Sequence, residues 1–151
     1  MPQSFSAVYV HLVFSTKERR PFLRDRAVRQ SLHAYLGAAS KQLDCLPLRV
    51  GGVEDHVHVL GSLSRTMSQA DWVKEIKRVS TVWLKEQGQD YADFQWQTGY
   101  ATFSVSQSNV PEVTRYIDGQ EQHHTKMNFQ DELRSLLRKH GIELDEQHMW
   151  K

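Results

Sequence analysis

The 151-residue sequence is poor in the residues that define several protein classes. Its one cysteine, Cys45, excludes an intramolecular disulfide and a cysteine-rich zinc site. No run of about 18 apolar residues occurs, which excludes a helical membrane span, and the N-terminus lacks a signal-peptide pattern. The cytoplasm is the expected compartment. Glycine and proline are scarce, at 8 and 4 residues, and no linker, internal repeat or low-complexity tract interrupts the chain. Charge of one sign is also missing: 19 lysines and arginines face 18 acidic residues, a net +1. The chain is therefore not a global polycation. Its length points to one domain over residues 1–151, with a core of about 7–140, and such a domain buries roughly two-thirds of its unfolded surface without disulfide or metal.

Two features stand out against this plain background. Charge is uneven: residues 1–50 carry eight basic and three acidic side chains, or +5, whereas residues 51–100 and 101–151 each come to −2. A phosphate-binding surface would draw on the first third. The sequence also contains 8 histidines, a high number for its length.

Ala7–Phe14 is β-branched and aromatic and reads as a strand. Apolar residues at helical spacing (Val28, Leu32, Tyr35, Leu36, Ala39) predict a helix over about 24–43. Leu46–Val53 and His56–Leu63 read as strands joined tightly at Glu54-Asp55. Ser68–Gln87 is an amphipathic helix with the stripe Trp72, Ile76, Val79 and Trp83. Phe94–Trp96 and Tyr100–Val105 suggest two more strands around Thr98-Gly99. Asn109 stands where an N-cap belongs, with Pro111 and Glu112 in the first turn of a helix reaching about His124. A last helix, about Phe129–His140, ends at Gly141. The order β-α-β-β-α-β-β-α-α predicts an α+β fold, a ferredoxin-like or RRM-like antiparallel sheet with helices on one face.

His56 and His58 flank Val57 in a predicted strand. Alternation turns both imidazoles to one face, roughly 7 Å apart at the backbone, where they can converge on one metal ion while Val57 and Val59 face the core. In the helix VTRYIDGQEQHHTK, Tyr116 and Gln120 are four apart and share a face, which His123 or His124 continues. Each signal by itself also fits an ordinary structural role, as half-buried strand-end histidines or a packed tyrosine.

Taken together, these segments resemble a known family. YVHLVFSTKERRPFL, VEDHVHVLGSL, GYATFSVSQSNVPEVTRYIDGQEQHH and FQDELRSLLRKHGIELDEQHMW, spanning roughly residues 7–150, are similar to the small single-tyrosine transposases of bacterial insertion sequences, within the HUH nuclease superfamily. The resemblance implies Tyr116 as a nucleophile on DNA, His56 and His58 as metal ligands, Gln120 as a third ligand, and a tyrosine-bearing C-terminal helix. It implies cleavage and rejoining of single-stranded DNA through a 5′-phosphotyrosine link, with hairpins at the DNA ends as partner. It also implies a homodimer whose tyrosine helix can complete the partner's site in trans, with the polar Ser104–Asn109 segment as the flexible connection; the residues leave cis and trans both open.

A phenol is a poor nucleophile without assistance, and a divalent cation on the scissile phosphate supplies it. Imidazole and amide donors suit manganese, nickel or cobalt on affinity grounds, so cellular abundance must favour magnesium, the expected ion in the cell. Basic candidates for DNA contact are Lys17, Arg19 and Arg20, together with Lys74, Lys77 and Arg78 on the long helix. His123 and His124 fit either a site role or helix-end packing, whereas His11, His33, His140 and His148 read as structural or exposed. Three other readings stay open: a domesticated relative acting on chromosomal palindromic repeats, a non-catalytic nucleic-acid-binding module, and a metal-dependent hydrolase using water.

Overall fold

The computed structural model describes residues 3–150, and the other three positions of the expected domain lie outside the described residues. The architecture follows from alternation along β1 (Tyr9–Ser15). Val10, Leu12 and Phe14 enter one apolar cluster, while Val13 enters another and His11 points to the opposite side from Leu12. One strand thus serves two faces. β1 is central in a four-stranded antiparallel sheet of order β2-β3-β1-β4, with β2 at Leu46–Gly52, β3 at His56–Ser62 and β4 at Ala101–Val105.

The two long helices cover the first face, as the α+β expectation requires. α1 (Arg26–Gln42) is capped by Asp25, which accepts from Ala27 and Val28 amides, and α2 (Gln69–Lys85) by Ser68, which accepts from Asp71. Leu32 and Leu36 of α1 and Trp72, Val73 and Ile76 of α2 pack on Leu12, Phe14, Val57 and Val59. On α2 the buried stripe is Trp72, Val73, Ile76, Ser80 and Leu84; Val79 and Trp83 sit half-buried at its edge.

The C-terminal segment takes the second face. α3 (Val110–Asp118), α4 (Gln120–His123) and α5 (Phe129–Lys139) follow β4. Ile117 of α3 packs on Leu60 and Val105, and Phe129 and Leu136 of α5 pack on Val13 and Phe103. α3 lies so close to β2 that a Cβ on Gly51 would come within 2.8 Å of the Ile117 side chain. Gly52, at φ +151°, turns the β2–β3 hairpin where a Cβ would meet the His56 carbonyl at 2.3 Å.

Four local expectations are corrected. Phe94–Trp96 forms no strand. Trp96 makes a single bridge with Thr16, and its aromatic neighbours Phe14 and Phe94 bury it in the core. β-propensity there reflects burial and not pairing. Asn109 makes no side-chain cap, because it already lies in the 3₁₀ turn Gln107–Asn109, with φ −96° and ψ −5° in place of the extended geometry a cap needs. The helix to His124 is two pieces, divided at Gly119. Ser104 and Val105 belong to β4 and the next residues form that ordered turn, so the Ser104–Asn109 segment is not a flexible connection. Among the described residues, no helix is long and apolar enough to cross a membrane.

Candidate active site

The second face of β3 carries His56 and His58, both fully buried. Their Nδ1 atoms are held from behind. Asp55 Oδ1 accepts from His56 Nδ1 at 2.8 Å, and His58 Nδ1 shares a 2.8 Å hydrogen bond with His11 Nε2. With Nδ1 occupied, both rings turn Nε2 towards the same space, the arrangement typical of oriented metal-binding histidines. The β1–β3 register explains His11: Val13 lies opposite His58, so His11 is the diagonal neighbour on the same face, its ring stacked 5.1 Å from that of His58.

Tyr116 and Gln120 arrive from α3 and α4. Gly119 interrupts the helix only locally: its N–H still bonds the Arg115 carbonyl, and the His123 N–H bonds the Gly119 carbonyl at 2.9 Å, so the two side chains stay on one side. Gln120 Oε1 lies 3.0 Å from His56 Nε2, and the Tyr116 ring lies edge-on, 5.7 Å from that of His58. Arg29 helps fix α4. It is buried, donating to the Leu23 carbonyl at 2.8 Å and to Glu121 at 2.9 Å.

At the centre stands Glu132 of α5, only 1% exposed. Its Oε1 is 3.0 Å from His56 Nε2, 3.4 Å from His58 Nε2 and 2.9 Å from His124 Nε2. Its Oε2 accepts from the Tyr116 hydroxyl and, at 2.7 Å, from Gln120 Nε2. His123 Nε2 is further out, at 3.7 Å from the carboxylate and, among the described residues, without a hydrogen bond.

The electrostatics follow from burial and this carboxylate. Burial by itself would raise the Glu132 pKa, but the imidazoles of His124, His56 and His58 turned towards it hold it far below the usual carboxylate range. Burial would lower that of His56, yet bonds to Asp55 and Glu132 outweigh it and push it up to about 9. His58 is lowered by burial despite Glu132, and His11 is lowered to about 3 by burial and then by His58. Tyr116 is raised by burial and by the adjacent negative charge, so it is a neutral phenol here. The residues fit a divalent cation. Imidazole nitrogens and carboxylate and amide oxygens converge, the donor atoms of His56, His58 and Glu132 lie within 4.8 Å of one another, and among the described residues the buried Nε2 of His58 has no hydrogen-bond partner.

A family model described as "Transposase IS200 like" matches residues 4–120. The chain belongs to the IS200-like transposase family. That family is one of DNA-binding, DNA-recombining proteins. Among solved structures, a candidate transposase from Deinococcus radiodurans R1 is similar at TM-score 0.60 and 21% identity, covering 78% of this chain and 93% of that one. A REP-associated tyrosine transposase bound to a REP hairpin is similar at TM-score 0.59 and 14% identity, covering 81% of this chain and 71% of that one. Both likenesses are of fold. No curated protein matches the sequence.

In this IS200-like transposase, Tyr116, His56, His58, Gln120 and His124 meet in one cluster with His123 at its rim. Within one chain α3 folds back onto its own sheet, with Ile117 on Leu60 and Val105, and this brings the cluster together. The basic candidates are spread more widely. Lys17, Arg19 and Arg20 lie on the turn after β1, whose last residue, Ser15, pairs with His56. Lys74, Lys77 and Arg78 sit on α2, which packs on the opposite face of the sheet. Lys77 is tethered to the carbonyls of Gln97 at 2.8 Å and Gly99 at 2.6 Å, and Arg78 to Glu75 at 2.7 Å.

The residue reading of the sequence missed Glu132 and placed His11 among the structural or exposed histidines. Glu132 had a signal: Phe129, Glu132 and Leu136 form one stripe on α5, putting a carboxylate where an apolar residue belongs. His11 had only strand alternation, and its partner depends on a register that the sequence does not state.

Proposed function

We propose that this protein is a transposase that cleaves and rejoins single-stranded DNA, with Tyr116 as nucleophile and His56, His58 and Gln120 as ligands of a divalent cation. The observation that carries the reading is the meeting of Tyr116 and Gln120 with the paired Nε2 atoms of β3 in one buried cluster. Such a cation, magnesium in the cell with manganese able to serve, would neutralise charge on the scissile phosphate and stabilise the departing oxygen. Tyr116 Oη forms the bond to phosphorus as the bond to O3′ breaks. The phenol loses a proton and the 3′-hydroxyl gains one. The 5′-phosphotyrosine link keeps the phosphoester energy, so another 3′-hydroxyl reverses the step without ATP. Asp55 and His11 hold the imidazoles, and Glu132 holds the Tyr116 hydroxyl within the cluster.

The proposed partner is single-stranded DNA with hairpin ends, a reading supported by the hairpin named for the REP-associated neighbour. Lys17, Arg19 and Arg20, beside the strand end that pairs with His56, are the nearer phosphate contacts; Lys74, Lys77 and Arg78 would engage DNA only across the molecule. A homodimer in the cytoplasm is the proposed assembly, with each tyrosine acting on its own histidines. The same neighbour supports a second reading, action on chromosomal palindromic repeats in place of an element's own ends. Hairpin repeats dispersed away from the gene would favour it.

The test is incubation of labelled hairpin-bearing single-stranded DNA with manganese, followed by denaturing electrophoresis. A covalent protein–DNA band that vanishes in Tyr116→Phe is expected; a band that persists there removes Tyr116 as nucleophile. Mixing Tyr116→Phe with His58→Ala subunits should restore nothing if each site works in cis.

A further inference from the structure

We infer that Glu132 is itself a ligand of the cation, the one anionic member of the set, and that it ties the ion to the nucleophile. The inference rests on the reading above that His56 and His58 hold a divalent ion. A carboxylate 1% exposed in an apolar helix stripe is costly to bury unless its charge is answered. Here His56, His58, His124, Tyr116 and Gln120 all turn polar atoms towards it.

The spacing also suits ligands of one ion. Donors held about 2.1 Å from one ion, at angles between octahedral and tetrahedral, stand about 3.0–3.4 Å apart. Glu132 Oε1 lies 3.0 Å from His56 Nε2 and 3.4 Å from His58 Nε2. At the second distance no hydrogen bond forms: among the described residues, the buried Nε2 of His58 has no hydrogen-bond partner. A shared cation satisfies both atoms.

The chemistry of the set changes accordingly. Two imidazoles and an amide carry no charge and favour nickel or cobalt, whereas a carboxylate adds one negative charge and a hard oxygen, which moves preference towards magnesium and manganese. The other oxygen of the same group accepts from Tyr116, so a ligand of the ion also orients the attacking hydroxyl.

The experiment compares wild type with Glu132→Gln, Glu132→Asp and His58→Ala, all metal-free at the start, by titration calorimetry with manganese, magnesium and nickel. Thermal unfolding of each metal-free variant checks that it folds. In Glu132→Gln, manganese and magnesium affinity should fall about tenfold to hundredfold and nickel affinity by less. Glu132→Asp should keep the wild-type order of preference, which also serves if the glutamine variant does not fold. Unchanged manganese affinity in Glu132→Gln, with loss in His58→Ala, overturns the inference and leaves the histidine reading intact. Tighter binding in Glu132→Gln also overturns it, since the carboxylate then competes with the ion. Unchanged affinity in His58→Ala defeats the underlying reading, whatever Glu132 does.

Discussion

The two faces of one sheet are built from alternate residues of the same strands, and they are chemically opposite. On the α1/α2 side, Leu12, Val57, Val59, Trp72 and Ile76 are buried side chains without charge. On the other side, His11, His56, His58, Gln120 and Glu132 are buried with comparable completeness. The first face gains free energy by removing apolar surface from water. The second buries Val13, Leu60, Phe103, Ile117 and Phe129 as well, and depends in addition on a network of hydrogen bonds and charges. The separation lets the protein keep a reactive, polar cluster without opening its main core.

The largest effect should come from the polar face and leave the apolar one untouched. Tyr116→Phe should reduce covalent DNA linkage to background, with little change in the urea midpoint, because Glu132 keeps its other donors; a collapse in stability would show that the faces are not independent. Next, Trp72→Ala should cost about 3–5 kcal/mol in urea unfolding, since the ring is fully buried and its Nε1 donates to Ser40. A cost under 1 kcal/mol would contradict its place in the core.

A smaller effect concerns pH. Burial, and then Arg29, lower His33 to about 4. The unfolded chain therefore binds the extra proton first, and stability is lost as pH falls from about 6.5 towards 4. His33→Gln should flatten that window by on the order of 1–2 kcal/mol, read from urea midpoints at several pH values; an unchanged slope assigns the acid sensitivity elsewhere. The smallest effect is expected at the exposed Arg78–Glu75 pair. Arg78→Ala should leave the unfolding midpoint unmoved, whereas a fall in single-stranded DNA affinity and in its salt dependence would assign Arg78 a phosphate contact.

Much of this was legible in the residues. Alternation in His56-Val57-His58 correctly put both imidazoles on one side and Val57 and Val59 on the other. Four-residue spacing kept Tyr116 and Gln120 together even across the break at Gly119. Phe94–Trp96 misled because buried aromatic residues look alike in a strand and in a packed loop. Helical spacing grouped Lys74, Lys77 and Arg78 as basic candidates, and the structure adds that Lys77 and Arg78 also bond within the chain. Periodicity reports which side of a helix a residue occupies, not whether a neighbour has already taken it.

By itself, then, the sequence determined local conformation, the faces and the family, because these depend on spacing of two, three or four residues and on ordered motifs. Only the tertiary structure decided that His11 supports His58, that Glu132 of α5 reaches between the histidines, and that the Tyr116 hydroxyl meets Glu132. Those contacts join residues 16 to 76 positions apart. Strand register and helix docking bring them together, through packing of the whole chain and not through any local pattern.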